Sequence, residues 1–443
     1  MGKSTALTTL LKSIGPGLLF AGAAIGVSHL VQSTRAGAMF GLGLIGVVLV
    51  ANLTKYPGLS FGSRYTNATG HSLLEGYRRQ GRWTLVVFSV LTLGTMFTVA
   101  AAVTLVTAAI FNHLLLAFVA YLDQPSLSAM AGHMTLQVGA VALFIVVGVL
   151  LKTGGFGLLD RLIKVLLGTM AAMTLVATVM VLPDLDWGTF SLWLPPGVTE
   201  AAAIAFVVAL AGWMPAPMDI SVWSSLWALA KRDQTGHTPS PSETRVDFNL
   251  GFFLCVVLAI CFVILGCVVM HQPGVEPAKG GIGMAKQILG LFTGTLGDWS
   301  LPVVGAASLA VMFSTTLTVM DAFPRVLVVL VDRLRGPESG QSAVQDFSRR
   351  GSYWIGFAVV VAGAIIMIQF FLKSLAQMVD LATTLSFVTT PILAWFNHRA
   401  MHSDDVDPAY RPSRAMTVFS WICLALLAAF ALFYLWHRFL RGG

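Results

Sequence analysis

Two stretches, GPGLLFAGAAIGVSHL at 15–30 and ALAGWMPAPMDI at 209–220, decide the fold of this chain. Each lies inside an apolar block long enough to cross a bilayer, yet each carries residues that disfavour a straight helix. Gly26 weakens the helix in the first block, and Pro215 and Pro217 each remove a backbone donor in the second. Irregular backbone at mid-membrane depth is tolerated only where it is buried in protein or lines a cavity. We therefore expect both helices to unwind there and to form one binding site.

The two interrupted blocks are the first and the sixth of eleven, which predicts an inverted repeat of five plus five helices with one helix appended. Unwound carbonyl groups supply ligands for cations, while the N-termini of half-helices favour anionic groups. This arrangement is typical of secondary transporters, in which the substrate binds between the two breaks near the bilayer midplane. The alternative is that glycine and proline only kink two ordinary membrane helices.

The composition excludes a soluble protein. Of the 443 residues, 56% are hydrophobic and 11% are charged, whereas soluble domains carry about 25% charged residues. The mean hydropathy is +0.81, so the lipid bilayer is the expected partner of most of the surface. The four cysteines lie in apolar blocks without metal-ligand spacing, which predicts small buried hydrophobic residues rather than a disulfide or zinc site.

Other function classes lack their signatures. The net charge of +7 comes from basic residues between the apolar blocks, without the aromatic pattern that accompanies nucleic-acid binding, so no nucleic-acid partner is expected. The chain has no nucleophile elbow, P-loop or HExxH spacing. We predict that it is not an enzyme and needs no cofactor.

We predict an all-α polytopic membrane protein with a single transporter domain over 1–443. The first repeat spans about 13–182, the second about 200–398, and the extra helix about 415–438. Each block is long enough to span the hydrocarbon, where helices satisfy their own backbone groups. The eleven blocks are 13–34, 38–60, 84–111, 135–151, 157–182, 200–230, 250–271, 300–331, 352–372, 375–398 and 415–438.

The distribution of basic residues sets the expected orientation. Under strict alternation, 21 of the 27 Lys and Arg residues fall on the side of the N-terminus, with Lys55 counted among the residues of the connections. Because such residues concentrate on the cytoplasmic side, we expect the N-terminus inside and the C-terminus outside. A bacterial-type inner membrane is the expected location.

Three stretches resemble the NRAMP family of divalent-metal transporters, which belongs to the superfamily with the LeuT fold. They are GPGLLFAGAAIG at 15–26, RAGAMFGLGLIGVVLVANL at 35–53, and the Ala-x-x-Met-Pro pattern formed by Ala211, Met214 and Pro215. The resemblance implies an inverted-repeat fold, alternating access, and proton-coupled uptake of manganese or iron.

The sequence departs from the family at the metal site. The Asp-Pro-Gly-Asn of the first helix falls on Gly26, Val27, Ser28 and His29, so both of its oxygen ligands are absent. In the sixth helix, Met214 keeps the sulfur ligand and Ala211 the carbonyl position, but alanine replaces the histidine.

Further family positions fall outside these two helices. The acidic residues of the family's proton route fall on Thr98 and Ala101, and Gln377 of the tenth helix matches a glutamine that contributes to metal coordination.

Three side chains at the breaks have both a functional and a structural interpretation. His29 is either a metal or substrate ligand, or the group that takes up protons, or a neutral residue bonded to a neighbouring helix. Met214 is either a metal ligand or a packing residue. Asp219 either supplies the missing negative charge or is an ordinary residue at a helix start.

Hydroxyl groups in the eighth helix suggest a site for a coupling ion. Ser314, Thr315 and Thr318 share a helix face and resemble the sodium site of LeuT-like transporters, where hydroxyls meet carbonyls of the broken first helix. The alternative is bonding to their own preceding turn. Asp321 and Arg325 are expected to form an ion pair, while Asp380 is expected to pair with a basic residue, bind substrate or carry a proton.

The sequence therefore predicts a transporter of a divalent metal cation, coupled to protons or sodium, with Gly26, Ser28 and Ala211 also at the substrate site. The alternatives are a carrier of a small organic solute, perhaps driven by sodium, and a membrane sensor that binds without transporting.

Overall fold

The computed structural model describes residues 15–122, 135–192, 201–337, 350–371 and 374–440. These residues form fourteen α-helices and no strand. The predicted first residues of the two repeats, 13 and 200, lie outside the described ranges. The helices are α1 Pro16–Ala24, α2 Thr34–Phe40, α3 Ile45–Thr69, α4 Leu73–Gln80, α5 Arg82–Leu122, α6 Leu136–Val181, α7 Ala201–Trp213, α8 Ile220–Thr235, α9 Pro241–Gly266, α10 Gly281–Leu296, α11 Leu301–Arg335, α12 Gly351–Phe371, α13 Leu375–Met401 and α14 Arg414–Leu440.

The all-α membrane fold is confirmed, whereas the number of eleven spans is not. Nine segments of the described residues are long and apolar enough to cross a membrane. The predicted blocks 38–60 and 200–230 are not among the nine. The predicted blocks 135–151 and 157–182 both are, although they lie in one continuous helix, α6, of 46 residues. Its connecting sequence at 152–157 contains glycines but no proline, so each residue there keeps its backbone donor and the helix is not forced to end.

Two helices lie where the sequence analysis expected connections. Ser72 is the N-cap of helix α4, and its side chain accepts a hydrogen bond from the backbone N–H of Glu75. Helix α10 buries Met284, Ile288 and Leu291 on one side, a spacing that gives a short amphipathic helix rather than a fully apolar span.

The first predicted break is confirmed. Helix α1 ends at Ala24, and the chain leaves helical geometry at Ile25 and Gly26. A π-helical segment, Val27–Ser33, follows and leads into α2. Such π-helical turns are frequent at functional sites.

The second predicted break is confirmed as well. Helix α7 ends at Trp213 and α8 begins at Ile220, so residues 214–219 stand outside both helices. Helices α5 and α11 pack against each other beside the first break, and α13 packs along α7. All four cysteines are buried, as the sequence predicts.

Candidate functional site

A small cavity lies between the two breaks. The volume open to the centre of a water-sized sphere is about 20 Å³, enough for roughly one such sphere. The first break contributes Ala24 and Ser28 to its wall, the second contributes Trp213 and Pro217, and α11 contributes Thr315. The two breaks therefore enclose a space of ionic rather than metabolite size.

Ser28 joins the two breaks. Its hydroxyl donates to the carbonyl of Ala24 at 2.6 Å and lies 3.4 Å from the carbonyl of Pro215. Gly26 permits a close approach on the other side, since a Cβ there would lie 2.5 Å from the Thr315 Oγ1. Oxygen atoms from both breaks thus converge on this side of the cavity.

His29 faces away from the cavity. The ring is fully buried, with Nε2 2.9 Å from the carbonyl of Cys255 on α9. Nδ1 lies 2.7 Å from the Ser28 hydroxyl and 3.1 Å from the Ala24 carbonyl. Both nitrogens therefore meet protein oxygens, which is the arrangement of a histidine bonded to a neighbouring helix.

Met214 does not line the cavity either. It is fully buried in the smaller of two apolar clusters, with Val208 and Phe387. Within the described ranges, no three His, Cys, Asp or Glu side chains lie together as a metal-binding group. The structure thus does not bring His29 and Met214 together around the cavity.

Asp219 and Gln377 lie in different environments. Asp219 is buried at the start of α8, where the Thr95 hydroxyl donates to its carboxylate at 3.4 Å. Gln377 is exposed in the first turn of α13, with its backbone N–H donating to the Ser374 hydroxyl. The structure therefore places Asp219 beside the second break but does not bring Gln377 to it.

The proton-route positions of the family face inward from α5. Thr98 and Ala101 are both buried, and the Thr98 hydroxyl donates to the carbonyl of Thr95 one turn earlier. Neither side chain ionises, so these two positions provide no acid for proton transfer.

Among the three α11 hydroxyls predicted for the coupling-ion site, that of Thr315 reaches the first break. Its Oγ1 lies 3.0 Å from the carbonyl of Gly22 and 3.3 Å from that of Ile25. Ser314 and Thr318 instead donate to carbonyls of α11 itself. The predicted contact between a hydroxyl of this helix and carbonyls of the first break is thus present at Thr315.

The prediction that Lys55 belongs to a connection between helices is wrong. It lies inside α3 with an exposure of 0%. Its Nζ donates to the carbonyls of Ala211 at 2.7 Å, Gly212 at 2.6 Å and Ala216 at 3.1 Å. The position of Lys55 inside the apolar block 38–60 was the available signal, because an ionisable residue within a span indicates a functional site.

Charged pairs lie on either side of the breaks. Arg35 of α2 donates two hydrogen bonds to Asp380 of α13, at 2.6 and 3.2 Å. Of the three alternatives for Asp380, the structure therefore shows the pairing with a basic residue. The predicted pair of Asp321 and Arg325 is confirmed at 2.7 Å. The first pair joins α2 to α13, whereas the second lies within α11.

Comparisons with known proteins agree with this geometry. The profile of the family described as "Natural resistance-associated macrophage protein-like", or Nramp, matches residues 17–437. A protein of Pasteurella multocida, PM0681, which is described as uncharacterized, is 32% identical over 87% of this chain and 84% of its own length. The "Divalent metal cation transporter MntH" of Burkholderia ambifaria is 24% identical over 87% of this chain and 80% of its own length.

A solved structure shares the fold. The crystal structure of the manganese transporter of Eremococcus coleocola, in complex with an aromatic bis-isothiourea substituted compound, superposes with a TM-score of 0.63 at 15% identity. The match covers 98% of this chain and 87% of that protein. At this identity the likeness concerns the fold, which is the LeuT-like arrangement that the sequence predicts.

Proposed function

The chain belongs to the Nramp family, and from this premise we propose that it is a secondary transporter that moves a divalent metal cation across a membrane by alternating access. One bundle of helices would rock against the rest around the two breaks. The site that binds the cation differs from the family pattern, since Gly26 and His29 replace the two oxygen ligands of the first helix.

One observation supports a cation above all. At the second break, three backbone carbonyl oxygens surround the side-chain nitrogen of Lys55. At the neighbouring cavity, the Ser28 hydroxyl donates to the Ala24 carbonyl and lies 3.4 Å from the carbonyl of Pro215. Convergent carbonyl oxygens whose partner is a basic side chain offer an environment that favours a positive charge.

The donor set favours a hard cation. Hydroxyl and carbonyl oxygens suit manganese or magnesium, whereas imidazole and thioether groups suit zinc or copper. Because the cavity is lined by Ser28 but by neither His29 nor Met214, we propose manganese or magnesium as the substrate class.

The coupling ion is proposed to bind where α11 meets the first break. The Thr315 hydroxyl and the carbonyls of Gly22 and Ile25 offer three oxygens to a sodium ion. Sodium is favoured over protons because Thr98 and Ala101 cannot carry a proton. The same arrangement supports a second candidate, a sodium-driven carrier of a small organic solute, while a sensor would bind without uptake.

Uptake into proteoliposomes tests the proposal. With an inward sodium gradient, Mn²⁺ or Mg²⁺ should accumulate, and Ser28→Ala should raise the KM because one oxygen donor is lost. Ser60→Ala is the matched control, since among the described residues that buried hydroxyl bonds only to the Pro57 carbonyl of its own helix. Uptake of organic solutes alone would favour the second candidate, and no uptake of either would refute transport.

The coupling site has its own test. Thr315→Val keeps the shape of the side chain but removes the hydroxyl, so uptake should lose its dependence on sodium. Thr390→Val on α13 is the control, because its buried hydroxyl donates, within the part of the chain that the structure describes, only to the carbonyl of Ser386. Sodium dependence that survives Thr315→Val would contradict the assignment.

The location and orientation are proposed from charge. From the excess of Lys and Arg on one side, we propose that the N-terminus lies in the cytoplasm and the C-terminus outside, in a bacterial inner membrane. Placing Lys55 inside a helix removes one residue from this excess and leaves its direction unchanged.

A further inference from the structure

Lys55 lies in a cage of carbonyl oxygens at the second break. Its ammonium has three N–H donors, and the three oxygens of Ala211, Gly212 and Ala216 lie within 3.1 Å of Nζ. Within the described part of the chain no carboxylate forms a salt bridge with this nitrogen. The cage therefore satisfies a buried positive charge with backbone groups alone.

The sequence of the break creates this cage. The carbonyl of Ala211 has no helical donor, because the residue four positions later is Pro215, which lacks an N–H. The carbonyl of Gly212 belongs to the last turn of α7, where carbonyls have no partner within the helix. The C-terminal end of a helix also carries partial negative charge. The break thus offers a site for a cation, and Lys55 fills it from α3.

A second cavity adjoins the same side chain. It lies between α3, α7, α13 and α14, has a volume of about 320 Å³, and is lined by Lys55 and Ala211 together with Thr54 and Phe387. The Lys55 side chain can therefore change its rotamer without first opening a tightly packed core.

We propose that Lys55 is a tethered cation, whose ammonium occupies the carbonyl cage while no substrate cation is bound and is displaced from the Ala211 carbonyl when the substrate cation enters. This inference rests on the proposed function, since it requires a cation as substrate. Substrate and ammonium compete for the same oxygen, so Lys55 lowers the affinity of the wild-type protein for a free cation. The cage itself is a binding site for small monovalent cations of the alkylammonium class.

Chemical rescue tests the cage without any transport. Lys55→Ala removes three carbons and the ammonium, which n-propylammonium replaces. Thermal unfolding of the purified protein in detergent should occur at a lower temperature for Lys55→Ala, and n-propylammonium should raise that temperature saturably. The wild type and Lys55→Met, in which an apolar chain fills the same space, should not respond, and neither should any variant respond to 1-propanol. A missing response of Lys55→Ala, or an equal response to 1-propanol, overturns the cage.

Labelling of the wild type tests displacement and requires no variant to fold. Reductive methylation followed by mass spectrometry should find Lys55 protected without metal, and labelled at least about tenfold faster at saturating Mn²⁺, as expected for a substantial population shift. Lys152, which is exposed, is the internal reference and should not change. Unchanged labelling of Lys55 would make it a permanent structural clamp and overturn the tether, whether or not uptake occurs. Absence of uptake together with rescue by n-propylammonium would refute the proposed function and retain the cage.

Discussion

Substitution of Gly26 by alanine tests whether the first break depends on close packing against α11. The added Cβ would lie 2.5 Å from Oγ1, 2.8 Å from Cγ2 and 3.0 Å from Cβ of Thr315. The hydroxyl would have to retreat by about 0.9 Å to reach the 3.4 Å at which ordinary contact begins.

The expected cost follows from how Thr315 responds. If its side chain stays in place, overpacking in a core typically costs about 1–3 kcal/mol. If it rotates away, its single hydroxyl proton no longer reaches the carbonyls of Gly22 and Ile25, and the lost hydrogen bond costs about 1 kcal/mol. Either response predicts a loss of about 1–3 kcal/mol in the free energy of unfolding.

Unfolding by SDS in mixed micelles measures this free energy. Gly168→Ala on α6 is the matched control, since a Cβ there meets nothing within 4 Å and alanine favours a helix over glycine by about 1 kcal/mol. The decisive comparison is a double-mutant cycle with Thr315→Ala, which removes the two nearest atoms. Costs that add within about 0.5 kcal/mol, or a Gly26→Ala variant as stable as Gly168→Ala, would refute the packing argument.

Three further predictions concern side chains around the breaks. A double-mutant cycle of Arg35→Gln and Asp380→Asn should give a coupling energy of about 1 kcal/mol in the same SDS titration, because the acid is partly exposed, and zero coupling would contradict a working pair. Asp247→Ala should lower the free energy of unfolding by about 1 kcal/mol, because the Asp247 carboxylate accepts hydrogen bonds from the backbone N–H groups of Gly15 and Gly17. Asp247→Asn keeps one acceptor oxygen and should lose less. His29→Ala should lower the melting temperature and leave the KM for Mn²⁺ unchanged, because both ring nitrogens bond to protein groups, whereas a raised KM with an unchanged melting temperature would identify it as a ligand.

The sequence predicts the two breaks because their causes are local. Proline lacks a donor wherever it stands, and glycine at Gly26 weakens a helix in any context. Helix α10 is not predicted because only one of its faces is apolar. A search for continuous hydrophobic spans therefore treats its sequence as a loop.

The ligands around the breaks depend on contacts between distant parts of the chain. Lys55 meets the Ala211 carbonyl across 156 positions of sequence, and no periodicity within α3 indicates that partner. His29 stands in the first break as predicted, yet the direction of its ring toward Cys255 is set by the packing of α9. Sequence patterns therefore locate the site, whereas tertiary packing decides which side chains point into it.

Under the proposed function, ionisable groups at the second break compensate for the absence of an acid at the first break. Lys55 lies at the C-terminal end of α7, where partial negative charge accumulates, and Asp219 lies at the N-terminal start of α8, where partial positive charge accumulates. Each buried charge is thus stabilised by the helix end that it faces, by about 0.3–2 kcal/mol. Under the proposed tether, a cation that displaces the side chain of Lys55 would arrive beside the break at which Asp219 lies. In that case Asp219 would take the role of the acid that the first break lacks.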